Sequence, residues 1–97
     1  MKNYGTVTVP KGTVGYESEN GHNNWWYPDR SSARELPMNV LVEHLHLWRN
    51  QGPFYVFAVP LCVFKPVELF EEKGRKQYIT LWFHEEDIDA IVDRQTV

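Results

Sequence analysis

Apolar and polar positions alternate over much of the chain, and the alternation breaks wherever Pro and Gly gather. Residues 4–9 (Tyr-Gly-Thr-Val-Thr-Val) put Val7 and Val9 on one face, the period of a strand with one buried side. Pro10-Lys11-Gly12 signals a turn, because Pro presets φ and Gly accepts positive φ. Residues 13–17 resume the pattern with Val14 and Tyr16 together. A strand, a tight bend and a strand follow, an entry hairpin over residues 6–16. Residues 18–24 form a polar turn around Asn20-Gly21, Trp25-Trp26-Tyr27 suits a strand that Pro28 ends, and residues 29–35 form a polar loop.

Residues 36–50 satisfy two periods at once. As a helix they have Pro37 in the first turn and Gly52-Pro53 just past the end, with Met38, Leu41, Val42, Leu45 and Trp48 in one stripe. As a strand, Val40, Val42, His44, His46 and Trp48 share a face. The end signals favour a helix.

Residues 54–59 (Phe-Tyr-Val-Phe-Ala-Val) form a strand, with a bend or an edge at Pro60. Extended structure continues through 61–64 and 67–70, and Glu71-Glu72-Lys73-Gly74-Arg75-Lys76 is a charged hairpin tip. Residues 77–83 are the clearest strand: Tyr78, Thr80 and Trp82 point one way, Ile79, Leu81 and Phe83 the other. His84-Glu85-Glu86-Asp87 turns the chain into a short helical turn with acids at its start, and Ile88, Ile91 and Val92 return to the core. The pattern predicts a single mainly β (α+β) domain over residues 1–97. Its expected form is a small barrel or a strongly bent antiparallel sheet with one helix at about residues 36–50.

Val9-Pro10-Lys11-Gly12-Thr13-Val14-Gly15 resembles the entry segment of SH3-like barrels. The hairpin, strand, acidic turn and last short segment of residues 67–92 resemble the way such barrels finish. The resemblance covers the two ends of the chain and not residues 25–64. It implies a small barrel in which binding is commoner than catalysis, and it brings no particular chemistry with it.

With 97 residues, the chain holds one core and little room for a deep cleft between subdomains. A net charge of −3 with ten scattered Lys and Arg disfavours nucleic acid, which demands a concentrated positive field. The lone Cys62 fits a reducing compartment. The longest near-apolar run, residues 54–64, is interrupted by Pro60 and falls short of the ~20 residues of a membrane helix. The expectation is a cytoplasmic protein that does not engage a membrane.

Aromatics make up 14% of the chain, more than a small core readily hides. Neighbouring strand residues face opposite sides, so at least one ring of Trp25, Trp26 and Tyr27 is expected to be partly exposed; the alternative is that both tryptophans anchor the small core. An exposed aromatic loop with Asp29, Arg30 and Arg34 beside it has the composition of a recognition surface. The acids Glu85 and Glu86 form a second contact suited to a basic partner surface.

His44 and His46 would stand about 7 Å apart on one face of a strand, and His84 with the acidic turn could complete a zinc-type site. On a helix the two histidines lie roughly 200° apart, so the helical reading removes the metal site. Cys62, between Leu61 and Val63, is expected to be a small buried hydrophobe. No catalytic residue, metal ligand set or cofactor motif is assigned.

The leading expectation is a non-enzymatic protein-binding module, of the kind found among phage-encoded or accessory modulators of larger cytosolic machines. The alternatives are a small-molecule or nucleotide binder that stacks a base on exposed rings, and a small metal-dependent enzyme. Residues 54–64 are apolar on both faces, so that strand is either central and covered or the interface of a homodimer.

Overall fold

The computed structural model describes residues 4–18, 28–45, 53–64 and 77–95. Its strands are β1 (Thr6–Val9), β2 (Val14–Ser18), β3 (Pro28–Glu35), β4 (Val40–His44), β5 (Phe54–Pro60) and β6 (Tyr78–His84). A single 3₁₀ turn occupies Leu61–Val63, and helix α1 (Glu85–Gln95) follows β6 directly. The strands form one antiparallel sheet in the order β1-β4-β5-β6-β2-β3.

Two short links force this sheet to curl. β1 and β2 stand four places apart, as do β3 and β4, a separation of roughly 19 Å in a flat sheet. Residues 10–13 cannot span that distance extended, because they hold a turn in which the Thr13 N–H donates to the Pro10 carbonyl at 3.2 Å. Gly12 takes φ 93° in it, as the third residue of a type II turn requires. The links are also bonded to each other: the Gly12 N–H donates to the Leu36 carbonyl (2.9 Å) and the Leu36 N–H to the Thr13 carbonyl (3.0 Å). The Lys11 N–H adds a bond to Asn39 Oδ1 at 2.8 Å. The two ends of the sheet are thereby drawn together into a strongly bent sheet.

The concave face gathers Val7, Val9, Leu36, Val40, Val42, Phe57, Val59, Leu81 and Phe83, and α1 packs Ile88 and Ile91 against them. Its first turn carries Glu85, Glu86 and Asp87 and its last Arg94, both signs complementing the helix dipole. On the convex face, Phe54, Val56 and Trp82 form a second buried group with Tyr16 and Leu45. The only buried indole among these residues, that of Trp82, donates to Ser18 Oγ at 3.0 Å.

Several expectations need correction. Residues 36–50 do not begin a helix: residues 40–44 are β4, with Val40, Val42 and His44 buried and Leu41 and Glu43 exposed. Both periods fit the sequence, but only the strand supplies backbone partners to β1 on one side and β5 on the other. The one described helix lies instead at Glu85–Gln95 and is longer than the short turn expected there. The entry hairpin is a strand, bend and strand as expected, but β1 and β2 do not pair with each other. The polar stretch after Pro28 is an edge strand rather than a loop.

β5 is central, paired on both sides and buried on both faces. Of residues 54–64 only Cys62 is exposed, so the homodimer expected through this strand has no open face there. Cys62 itself is exposed rather than packed, because the 3₁₀ turn after Pro60 breaks the alternation that would have buried it. The segments 67–76 and 46–50, for which extended structure, a hairpin tip and the rest of the helix were expected, lie outside the described residues.

Candidate functional site

Two aromatic clusters lie on opposite faces of the sheet. On the convex face, β5 and β6 pair Phe54 with His84, and their rings lie 4.6 Å apart. Tyr16 of β2 meets both edge-on, at 5.9 Å from Phe54 and 5.8 Å from His84. The Arg30 guanidinium carbon sits 5.4 Å from the Phe54 ring centre, in range of a cation–π contact. The Glu85 N–H donates to the Pro53 carbonyl at 2.8 Å, which starts α1 immediately beside this cluster.

Arg30 reaches Phe54 because β3 is irregular. β2 and β3 are in register at Tyr16↔Ala33 and again at Ser18↔Pro28, so residues 29–32 of β3 bulge out of the ladder. Side chains replace the missing ladder bonds. Asp29 Oδ1 accepts the Ser31 N–H (3.0 Å) and hydroxyl (2.6 Å), and these two donors hold its carboxyl below the usual range. Ser32 Oγ accepts the Glu17 N–H at 2.9 Å and donates to the Asp29 carbonyl at 2.6 Å. A bulge of this kind also blunts an edge strand against pairing with another chain.

On the concave side, near the N-terminal end of β1, four polar residues converge around Phe57. His44 stacks on Phe57 at 4.9 Å and on Tyr4 at 6.0 Å, and meets Tyr55 edge-on at 5.4 Å. Its Nδ1 accepts the backbone N–H of Tyr4 at 3.1 Å. The hydroxyls of Tyr4 and Tyr55 both donate to Oδ1 of Asp89 on α1, the latter at 3.2 Å. Burial, and then the bond to Asp89, raise the Tyr4 hydroxyl above the ordinary tyrosine range. Burial also pushes the Tyr55 hydroxyl well up, with Tyr4 adding to it. Both phenols therefore keep their protons at neutral pH and serve as donors. The network pins the helix and the N-terminal segment to the sheet.

The sequence-predicted residues divide among these places. Asp29 and Arg30 sit at the β3 bulge, and Glu85 and Glu86 are exposed at the start of α1, directly after His84. Phe54 touches both Arg30 and His84, the residue that precedes Glu85. Arg34 does not join them: it pairs with Glu17 at 3.2 Å and lies 4.8 Å from the Phe64 ring, which packs against the concave-face core. Trp25, Trp26 and Tyr27 lie outside the described residues.

His44 and His84 lie on opposite faces of the sheet, so they do not converge on a metal, and His46 lies outside the described residues. Among the described residues no group of three or more His, Cys, Asp or Glu is placed to hold a metal ion. The helix argument against a metal site fails, since His44 is on a strand. The Tyr4–His44–Tyr55–Asp89 network was not legible in the sequence. Its one local signal is Asp89, an acid between the inward-facing Ile88 and Ile91.

A groove of about 320 Å³ lies between α1 and the β1 edge, lined by Thr8, Pro10, Asn39, Ile91, Arg94 and Gln95. Gln95 Nε2 donates across it to the Thr8 carbonyl at 2.8 Å, so the helix covers part of that edge. No described helix is long and apolar enough to cross a membrane. No protein-family model, curated protein or solved structure matches the chain.

Proposed function

We propose that this domain is a non-enzymatic protein-binding module of the cytoplasm, acting as an accessory modulator of a larger assembly. The face it uses runs from Asp29 and Arg30, across Tyr16 and His84, to Glu85 and Glu86. The observation that carries this reading is the Arg30–Phe54–His84 contact chain. Around buried Phe54 stand the exposed Arg30 and the half-buried Tyr16 and His84, with the exposed Glu85 and Glu86 next in the chain, and a mixture of cation, rings and acids is found at binding hot spots and their polar rims. Trp25, Trp26 and Tyr27 precede Pro28 directly in the chain. The cluster on the opposite side supports the reading differently, since its tyrosines hold their protons and spend their hydroxyls on Asp89. An exposed lone thiol fits a reducing compartment.

The test is capture of a partner from extract by the wild-type domain, compared with Arg30→Glu and Glu86→Lys. Both variants are expected to lose the captured species while unfolding at the wild-type temperature, and Gln95→Ala is expected to retain it. Equal capture by all four proteins would refute the assignment of this face. Half-buried Tyr16 and His84 beside a guanidinium also favour a second reading, stacking of a nucleotide base. A saturable change in tryptophan fluorescence with nucleotides would support that reading over the first.

A further inference from the structure

We infer that the segment carrying Tyr4 is a proton-released strap: protonation of His44 undoes its anchorage and loosens the seat of α1. This inference stands independently of the protein-binding reading.

The β1–β4 ladder has its last register pair at Thr6↔Glu43. One more bond, from the His44 N–H to the Gly5 carbonyl at 2.7 Å, carries it a step further. At Gly5 the backbone enters the left-handed region, φ 62°, and the chain leaves the ladder. The Tyr4 N–H is taken up by the His44 ring, at Nδ1. A ring nitrogen accepts a hydrogen bond only when it carries no proton, so this contact assigns the neutral imidazole with its hydrogen on Nε2. A proton added at Nδ1 would set an N–H against the Tyr4 N–H. The ring has little room to turn away, because His44 is 7% exposed and sits between Phe57, Tyr4 and Tyr55.

Among the described residues, charged and titratable groups around this ring come from the strap, β5 and α1. Tyr4 comes from the strap and Tyr55 from β5, both as neutral donors. Asp89 and Asp93 come from α1 and act on the Tyr4 hydroxyl, and Phe57 contributes only an apolar face. Glu43, next along β4, points to the opposite side. Burial and the Tyr4 N–H oppose an imidazolium here, whereas the two aspartates favour one. Proton uptake thus becomes accessible once the strap lets go. Release also withdraws the Tyr4 hydroxyl from Asp89 and leaves Tyr55 as the helix's remaining tyrosine anchor at that carboxylate.

The experiment is NMR on the intact chain from about pH 8 to about pH 5, the range in which histidine titrates. It follows the His44 ring and the exchange of the Tyr4 amide, corrected for the intrinsic pH dependence of exchange. Tyr4 exchange is expected to accelerate about tenfold or more as His44 protonates, the loss of one enclosed hydrogen bond, and both signals should share one midpoint. Tyr4→Phe keeps the N–H and should keep the effect. His44→Asn offers an acceptor that does not titrate and should abolish it. The inference is overturned if Tyr4 protection stays constant while His44 titrates, if the midpoints differ, or if the effect survives in His44→Asn. It is equally overturned if the His44 ring stays neutral through the whole range. Should His44→Asn fail to fold, the wild-type midpoints decide alone.

Discussion

Gly15→Ala measures how closely β2 and β6 approach inside the curl. Gly15 is opposite Phe83, one step along from the Tyr16↔Trp82 pair, and the Phe83 ring leans over it. A Cβ placed on Gly15 would lie 2.9 Å and 3.1 Å from two ring carbons of Phe83 and 3.3 Å from Leu81 Cβ. Neither neighbour can yield cheaply, since Phe83 and Leu81 are wholly buried in the concave core. Overpacking of this kind costs about 1–3 kcal/mol. Alanine returns only about 0.4–1 kcal/mol by restricting the unfolded chain. The net expectation is about 1–2 kcal/mol of destabilisation, a fall in Tm of roughly 4–16 °C for a domain of this size. Urea unfolding should show a lower midpoint with an unchanged slope. The double variant Gly15→Ala/Phe83→Leu should be more stable than the sum of its parts predicts, because leucine vacates the contested space. A Gly15→Ala protein as stable as wild type, or more so, would refute the packing described for this part of the sheet.

Other consequences concern polar contacts. Ser18→Ala leaves the buried Trp82 indole N–H without its acceptor and should cost about 1–3 kcal/mol in chemical unfolding. Asp89→Ala removes the shared acceptor of two tyrosines and should lower stability by about 1–2 kcal/mol, with Asp89→Asn milder because it keeps an oxygen. Tyr4 and Tyr55 both have hydroxyls raised above the ordinary tyrosine value of 10.0, chiefly by burial. The fold therefore favours the protonated form, and this stabilisation is intact below pH 10.0 and lost as pH rises through the folded values. Phenolate absorbance should show late-titrating tyrosines that move earlier in Asp89→Ala. The Arg34–Glu17 pair is about one third exposed on each side, so Arg34→Ala should cost under about 1 kcal/mol, and less at high salt.

What the sequence reveals here follows from how local each signal is. β1, β2, β5 and β6 were legible because alternation over a few residues marks a strand whose faces differ, or one covered on both. Gly12 was legible because a turn of this kind needs its positive φ. β4 was not, because residues 40–44 satisfy both periods and the choice is made by β1 and β5, which lie far away in sequence. β3 hides for another reason: an edge strand with polar residues on both faces carries no apolar pattern, and its bulge is held by Asp29, Ser31 and Ser32. The approach of Arg30 to His84 through Phe54 depends on the Phe54↔His84 register, a nonlocal fact. The Tyr4–Asp89 contact spans 85 positions, beyond anything periodicity can report.

The claim that Arg30 and Glu86 belong to one binding face is tested most directly by site-specific photocrosslinking to the captured partner. Crosslinkers placed singly at positions 30 and 86 should both join the same partner, while those at positions 8 and 95, beside the groove on the β1 edge, should not. Crosslinks from positions 8 and 95, with none from 30 and 86, would contradict the account and move the binding face to the other side of the domain.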